Sequence, residues 1–109
     1  MPRDTGIPPG TLVMLTLKVL GGGPLHGYAI AQRIHALSSE ELKVEEGSLY
    51  PALQKLLLKG WVQASWSVSD SGRRVRCYRL TTAGERQLET EIAHYTRMTR
   101  GIAALLERA

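Results

Sequence analysis

The feature that most constrains this chain lies between residues 44 and 80, where a short helical pattern is followed at once by two strand-like runs crowded with arginine. Residues 47–53 read Gly-Ser-Leu-Tyr-Pro-Ala-Leu, in which Ser48 is a predicted N-cap and Pro51 is tolerated in the first turn. Residues 69–72, Ser-Asp-Ser-Gly, have the composition of a turn between the two strands. A helix with a polar outer face beside a basic hairpin predicts a winged helix-turn-helix, with the helix in the DNA major groove.

The two faces of this helix can be separated on a helical wheel. Leu58 falls on the outer face near the end of the helix, where it is either plain apolar surface or a contact with another chain. The predicted core face contains Leu49, Leu53, Leu56 and Leu57, and the predicted reading face contains Pro51, Gln54, Lys55 and Leu58.

The hairpin that follows shows the alternation of a half-buried strand pair. Its basic side chains are expected near the turn, where they leave the core. Val62, Ala64 and Trp66 are predicted to share one side of the first strand, and Tyr78 and Leu80 are predicted to point inward from the second, with Arg74 and Arg76 toward the turn.

Two helices are predicted before this unit. Residues 11–20 are apolar almost all round, which is typical of a helix buried on two sides, and residues 21–24, Gly-Gly-Gly-Pro, end it. The connection at residues 38–44 ends in an alternating Leu-Lys-Val, which allows one short strand. A one-sided second helix is predicted from His26 to Leu37, with Gly27, Ile30, Ala31, Ile34 and Leu37 repeating at helical spacing.

A long last helix is predicted to run to Glu107. Thr81 or Thr82 caps it, and residues 82–85 fit a capping box. With roughly twenty-five residues at about 1.5 Å each, it outreaches a winged-helix body, so part of its apolar stripe needs a partner, for which a second copy is the obvious candidate. Tyr95 and Met98 in that stripe fit a dimer core and, secondarily, the floor of a ligand cavity.

Charge and cysteine usage indicate the class of partner and compartment. Lys and Arg outnumber Asp and Glu by 14 to 10, which favours a polyanionic partner or merely aids solubility. Cys77 is the single cysteine, so no intrachain disulfide can form and a reducing cytoplasm is expected. Residues 1–4 lack an apolar signal core, and residues 12–20 are too short to span a bilayer, so neither secretion nor membrane insertion is expected.

Catalytic and metal-binding patterns are not found. The glycines at residues 21–23 follow a helix instead of a strand, and there is no paired-carboxylate site or Ser-His-Asp set, so the chain is predicted not to be an enzyme. His26, His35 and His94 lack zinc-like spacing and cysteine partners, so neither a metal nor a cofactor is expected.

Four short segments in order resemble the PadR family of bacterial transcriptional regulators, in its short form with a single C-terminal helix. They are residues 23–28 (Gly-Pro-Leu-His-Gly-Tyr), 47–53, 59–62 (Lys-Gly-Trp-Val) and 76–84 (Arg-Cys-Tyr-Arg-Leu-Thr-Thr-Ala-Gly). The resemblance implies a mainly α fold with a small β-hairpin wing (α+β), in which residues 1–81 form the DNA-binding part and residues 82–109 a dimerisation helix of the same compact unit. It departs from the family at Leu57 and Leu58, where charge is common, and at Cys77, which is often basic or aromatic.

The resemblance also implies a homodimer that represses transcription from dyad-symmetric operators in double-stranded DNA, and some relatives release DNA when a small aromatic molecule binds. The chemistry agrees, since a glutamine amide can pair with adenine, lysine and tyrosine can hold phosphates, and guanidinium groups can enter the minor groove. The DNA-binding residues expected are Ser48, Tyr50, Pro51, Gln54, Lys55, Arg73, Arg74 and Arg76. The dimer interface expected from the first and last helices contains Leu12, Leu15, Val19, Leu88, Ile92, Tyr95, Met98, Ile102, Leu105 and Leu106.

Other interpretations stay open at this point. The arginine-rich hairpin also suits a solvated edge guarded by charge, and Tyr50 also suits packing against the wing. A winged helix can serve as a protein-interaction or architectural module, which predicts DNA binding that is insensitive to sequence or absent. A regulator predicts a dyad operator and a strong dependence on salt.

Overall fold

A computed structural model describes residues 7–108 of the chain; the segment at residues 1–4, on which the expectation about a signal core rests, lies outside the described residues. Four helices and a three-stranded antiparallel sheet follow one another in the order of a winged helix-turn-helix, so the predicted α+β fold is confirmed. The elements are α1 (Pro9–Leu20), β1 (Leu25–His26), α2 (Gly27–Leu37), α3 (Glu46–Leu58), β2 (Val62–Val68), β3 (Arg74–Leu80) and α4 (Thr82–Arg108).

Helix α1 is the centre of the core and packs against α2, α3 and α4. It begins two residues earlier than the apolar pattern predicts, because Pro9 is suited to the first turn and the carbonyl of Pro8 accepts the N–H of Leu12 at 2.9 Å. It ends at Leu20 with Gly21 as its C-cap, as the run of glycines predicts. The buried apolar residues around it are Leu12, Val13, Leu17, Val19, Leu20, Ile30, Ile34, Leu49, Ala52, Leu53, Leu56, Val62 and Tyr78.

Strand β1 is the element that the sequence reasoning missed. Residues 25 and 26 pair with β3, with Leu25 opposite Tyr78, so the strand order is β1-β3-β2. β3 is therefore the central strand, with β1 along one edge and β2 along the other. The short strand considered at residues 42–44 does not form, and that prediction is wrong.

Helix α2 buries Ile30 and Ile34, as its spacing predicts. Leu37, which shares that spacing, is 67% exposed, so its prediction as a core residue is wrong. It is the last residue of the helix and lies past the core. The chain then turns through Ser39 and Glu40, which have left-handed φ angles of 56° and 65°.

Helix α3 begins at Glu46, two residues before the predicted cap. The N-cap position is Glu45, whose carbonyl accepts the N–H groups of Ser48 and Leu49 at 3.0 Å each, so the prediction that Ser48 caps the helix is wrong. Pro51 consequently lies inside the helix and not in its first turn. Because proline has no N–H, the carbonyl of Gly47 lacks its usual partner four residues on.

Helix α4 is capped by Thr81, the first of the two threonines considered. The Thr81 hydroxyl accepts the N–H of Gly84 at 3.0 Å and donates to the carbonyl of Gly60 at 2.8 Å. The capping box predicted at residues 82–85 is wrong, because the helix already includes Thr82, and with Thr81 as the cap the position that would need Glu or Gln is Gly84. At 27 residues α4 is about 40 Å long, and the longest extent of the molecule is 55 Å.

Candidate nucleic-acid interface

Helix α3 presents one side to the core and the other to solvent, as the wheel predicts. Leu49, Leu53 and Leu56 are buried together with Ala52, whereas Leu57 is only half-buried because it lies at the edge of the core face. The predicted reading face is exposed along its whole length, and its last residue, Leu58, is 87% exposed. The helix therefore offers solvent an exposed outer surface along its whole length.

The wing is a regular hairpin whose inward face changes character along its length. Val62 pairs with Leu80 and Ala64 pairs with Tyr78, and these two pairs at the base of the hairpin are held against the core. Two residues further, on the same face, Trp66 pairs with Arg76 and is 61% exposed. The prediction that Trp66 shares a side with Val62 is correct in register, but the hairpin is longer than the core.

The turn at the wing tip is fixed by hydrogen bonds around Ser69. Its N–H donates to the carbonyl of Arg73 at 2.8 Å, and its hydroxyl accepts the N–H of Arg73 at 3.2 Å. Gly72 has a φ of 84°, which favours glycine. The predicted turn is confirmed, and Arg73 lies just before β3, which begins at Arg74.

A groove of about 520 Å³ lies between α3, the start of α2 and the wing. It brings together five of the residues expected to contact DNA. It is also lined by six residues that were not expected to contact DNA: His26, Gly27, Tyr28, Trp66, Val75 and Tyr78. The five expected residues in the groove are Tyr50, Gln54, Arg73, Arg74 and Arg76.

The other three expected residues do not line this groove. A separate hollow of about 280 Å³ is bordered by Ser48, Pro51 and Lys55, together with Pro9 at the start of α1 and Ile7 just before it. The two hollows lie on opposite flanks of the outer face of α3. Thus the structure distributes the expected DNA contacts on both sides of one helix instead of gathering them in one pocket.

The groove beside the wing carries strong positive charge. Arg73, Arg74 and Arg76 line it, and none of its described lining residues is acidic. Asp70 is the only acidic residue between positions 61 and 80. Such a surface attracts a polyanion by Coulomb forces that weaken as salt is added.

Two tryptophan rings on or near the wing each contact a positively charged side chain. The guanidinium carbon of Arg74 lies 4.5 Å from the ring centre of Trp66, and the ammonium nitrogen of Lys59 lies 5.9 Å from the ring centre of Trp61. Both are cation–π contacts, which favour one orientation of an otherwise flexible side chain. The sequence contained a signal for the first contact, because Trp66 and Arg74 fall on the same face of the hairpin. Arg74 is two residues away from the residue that pairs directly with Trp66.

Tyr78 supplies a neutral phenol at the inner wall of the groove. Burial raises its pKa above the ordinary value of 10.0, the nearby Arg76 opposes that shift, and Tyr50 adds to it. The hydroxyl therefore keeps its proton at neutral pH and remains a hydrogen-bond donor. Tyr50 itself is 56% exposed and lines the same groove.

The residues expected at a dimer interface fall into two groups. Leu12 and Val19 are buried in the core of the chain itself, and Leu15 is half-buried. The stripe on α4 becomes more exposed along the helix, from the half-buried Leu88 to Leu106 at 74%. Between these two come Ile92, Tyr95, Met98, Ile102 and Leu105, all exposed.

A third hollow, of about 310 Å³, lies between α1 and α4. Met14 from α1 meets Tyr95 and Met98 from α4 there, and Glu91 and His94 add polar groups. The cavity considered for Tyr95 and Met98 therefore has a counterpart in the structure.

Two further properties concern membranes and metals. None of the helices in residues 7–108 combines the length and apolar composition that crossing a bilayer requires. Within the same residues, no three His, Cys, Asp or Glu side chains come together in a way that could ligate a metal ion.

Known proteins resemble this chain in both sequence and structure. Residues 16–90 match the model of the transcriptional regulator PadR-like family. An uncharacterized 37.1 kDa protein in transposon TN4556 of Streptomyces fradiae is 41% identical over 86 residues, which cover 79% of this chain and 23% of that protein. The chain thus spans about a quarter of the length of this relative.

Solved structures give the same likeness over nearly the whole chain. A PadR family transcriptional regulator from Eggerthella lenta is 32% identical and superposes with a TM-score of 0.76, covering 92% of this chain and 85% of that one. A PadR family transcription regulator from Clostridium difficile is 25% identical with a TM-score of 0.73, covering 87% of this chain and 97% of that one.

Proposed function

Because this chain belongs to the PadR-like family of transcriptional regulators, we propose that it is a homodimeric repressor that binds dyad-symmetric operators in double-stranded DNA. The observation that carries the proposal is the exposed outer face of α3 beside a groove whose described lining residues include three arginines and no acidic residue. A duplex presents phosphates on both sides of each groove, which matches cationic groups on both flanks of one helix. We assign no catalytic step to any residue.

In this proposal α3 enters the major groove. Gln54 lies near the middle of its outer face, where an amide can pair with the N6 and N7 atoms of adenine. Ser48 and Lys55 on one flank and Tyr50 on the other are close to where the two phosphate strands would run. These flanking groups fix the position of the helix, while Gln54 provides discrimination between bases.

In this proposal the wing contacts the DNA from the side of a phosphate strand opposite to α3. Arg74 and Arg76 project from one face of β3 toward the groove, and Arg73 stands in the turn. Guanidinium groups in this position can enter the minor groove or bridge phosphates. Charge at the wing should therefore support affinity for every DNA sequence, in contrast to the role of Gln54.

The exposed stripe of α4 supports the dimer. An apolar row that extends past the body of a single chain would face water, and a second α4 would cover it. Two copies related by a two-fold axis would hold their α3 helices about 34 Å apart, which is the spacing of successive major grooves. The proposed contacts are Leu15 and the apolar stripe of α4 from Leu88 to Leu106. Leu12 and Val19 are buried in the core of each subunit and would affect the interface only indirectly.

The hollow between α1 and α4 supports a proposal for an effector. A small aromatic molecule bound against Met14, Tyr95 and Met98 would lie where the two subunits meet. Because α4 sets the distance between the two α3 helices, a ligand that shifts α4 changes the fit to DNA. Thermal unfolding with and without small aromatic acids would detect such binding, and no change across a broad panel would remove this part of the proposal.

The proposal is tested by selecting bound sequences from a random DNA pool with purified protein at two salt concentrations. A dyad motif with half-sites about ten base pairs apart and weaker binding at high salt is expected. Binding without a motif would favour an architectural module. No binding at low salt would favour a protein-interaction module.

A further inference from the structure

Trp66 is a large aromatic residue that the core does not use. On the same face of the hairpin, Tyr78 is 4% exposed, whereas Trp66 is 61% exposed. Both line the groove beside α3, but only Tyr78 belongs to the buried cluster. An indole held this far from the core contributes little to the hydrophobic free energy of folding, so its contacts on the wing itself give the better indication of its role.

The contact that Trp66 makes is selective between two arginines. Its direct partner across the hairpin is Arg76, and Arg74 is its diagonal neighbour. Among the described residues, the guanidinium stacked on the indole is that of Arg74, at 4.5 Å from the ring centre. Diagonal pairs in antiparallel strands are within reach of long side chains, so the register of this hairpin makes the contact possible.

We propose that Trp66 is a positioning residue for Arg74, and that the stacked pair senses the width of the DNA minor groove and so favours A·T-rich sequence under the wing. The inference rests on the proposed function, because it assumes that the wing meets duplex DNA. It assigns different tasks to two neighbouring arginines, with Arg74 held for readout and Arg76 left as a general cationic contact.

The first argument is conformational. A free arginine samples many rotamers and loses that freedom when it binds, whereas a guanidinium already stacked on an indole loses less. A cation–π contact at an exposed site corresponds to roughly two- to fivefold in an equilibrium constant. Arg74 should therefore bind more tightly with Trp66 beside it than without it.

The second argument is electrostatic. A·T-rich tracts have a narrow minor groove with an enhanced negative potential, which attracts inserted arginine side chains. A guanidinium with one face already covered by an indole has given up part of its water, so it enters a narrow groove with a smaller loss of hydration. A wide G·C minor groove lacks that potential, and the advantage of a fixed orientation is smaller there.

The test uses the operator obtained from the random pool, and a second duplex in which the base pairs under the wing are changed from A·T to G·C. Dissociation constants for both duplexes are measured with the wild-type protein and with Trp66→Ala, Trp66→Phe, Arg74→Lys and Arg76→Ala. Phenylalanine retains an aromatic face, lysine retains the charge of Arg74 without its planar shape, and Arg76→Ala is the matched control. Thermal unfolding of each variant verifies that it is folded.

The wild type should prefer the A·T duplex. Trp66→Ala and Arg74→Lys should bind the A·T duplex about threefold more weakly with little change on the G·C duplex, and Trp66→Phe should restore most of the preference. Arg76→Ala should weaken both duplexes alike.

An unchanged preference in Trp66→Ala overturns the inference, whether or not the affinity falls equally on both duplexes. Equal loss of preference in Arg76→Ala also overturns it, since the two arginines would then share one task. If the wild type selects no motif at all, the proposed function fails as well. This failure can be told apart from a failure of the inference about Trp66, because it appears in the selection experiment before any variant is made.

Discussion

Gly84 in the first turn of α4 lies directly against the backbone carbonyl of Trp61, so closely that a methyl group on residue 84 would overlap the carbonyl oxygen. The same carbonyl accepts the N–H of Thr81 at 3.1 Å. The start of β2 and the start of α4 are thus joined by backbone contacts. In the proposed dimer this junction determines the direction in which α4 leaves the wing, and so the separation of the two α3 helices.

Gly84→Ala should therefore destabilise the protein by about 3 kcal/mol, because backbone atoms must move to admit the added methyl group. Urea denaturation of both proteins measures the difference. Gly10→Ala is the matched control, since Gly10 is also in the first turn of a helix but a methyl group there would meet no neighbouring atom within 4 Å. If Gly84→Ala is as stable as Gly10→Ala, the close contact described at Trp61 is not present in solution.

Two threonines should respond in opposite directions to the same substitution. Thr16 is fully buried, and its hydroxyl finds no hydrogen-bond partner among residues 7–108, so Thr16→Val should stabilise the protein by about 1 kcal/mol.

Thr81→Val removes the helix cap and the hydrogen bond to the carbonyl of Gly60, and should destabilise the protein by about 2 kcal/mol. Urea denaturation of the two variants checks the signs; a loss of stability in Thr16→Val would show that its hydroxyl is satisfied.

The helices and the wing could be predicted because their signals are local. The apolar face of α3, the turn at residues 69–72 and the glycine stop after α1 each depend on neighbours within a few positions. Strand β1 could not be found this way, because two residues show no period and Leu25 is a strand residue only through its pairing with Tyr78. Residue type favours Ser48 as a cap, whereas the helix begins where the backbone of Glu45 accepts the first bonds.

The exposure of the expected site residues was predictable, but their arrangement around α3 was not. The wheel correctly placed Gln54 and Lys55 on the outer side of α3, yet these two residues border different hollows because α1 covers one flank and the wing the other. Alternation assigned Trp66 to the inward face correctly but did not show where the core ends. The point along the hairpin where the core ends depends on the size of the helices packed against it. The alternation within the hairpin carries no information about that size.

Gln54→Ala should relax the sequence preference at one position of each half-site. Loss of a bidentate contact with adenine costs about 1 to 3 kcal/mol of discrimination, while phosphate contacts that hold the helix remain. Repeating the selection from a random pool with this variant measures the effect. A motif that is unchanged at every position would mean that Gln54 contacts no base.

Ile102→Glu should separate the proposed dimer, because a carboxylate buried in an apolar interface without a partner costs about 3 kcal/mol or more. Sedimentation over a range of concentrations compares it with the wild type. Ala104→Glu is the control, since residues two positions apart in a helix face nearly opposite sides and residue 104 is off the apolar stripe. Equal effects of the two substitutions, or none, would contradict the assigned interface.

The most direct test of the central claim, that the face formed by α3 and the wing binds DNA, is the affinity of the double variant Arg74→Glu and Arg76→Glu for the selected operator and for a scrambled duplex. The wild type should bind both, the operator more tightly. The double variant should lose affinity for both duplexes, by about a hundredfold or more at low salt, and show a shallower dependence on salt. A double variant that binds the operator as the wild type does would contradict the account, because DNA would then meet another surface of the protein.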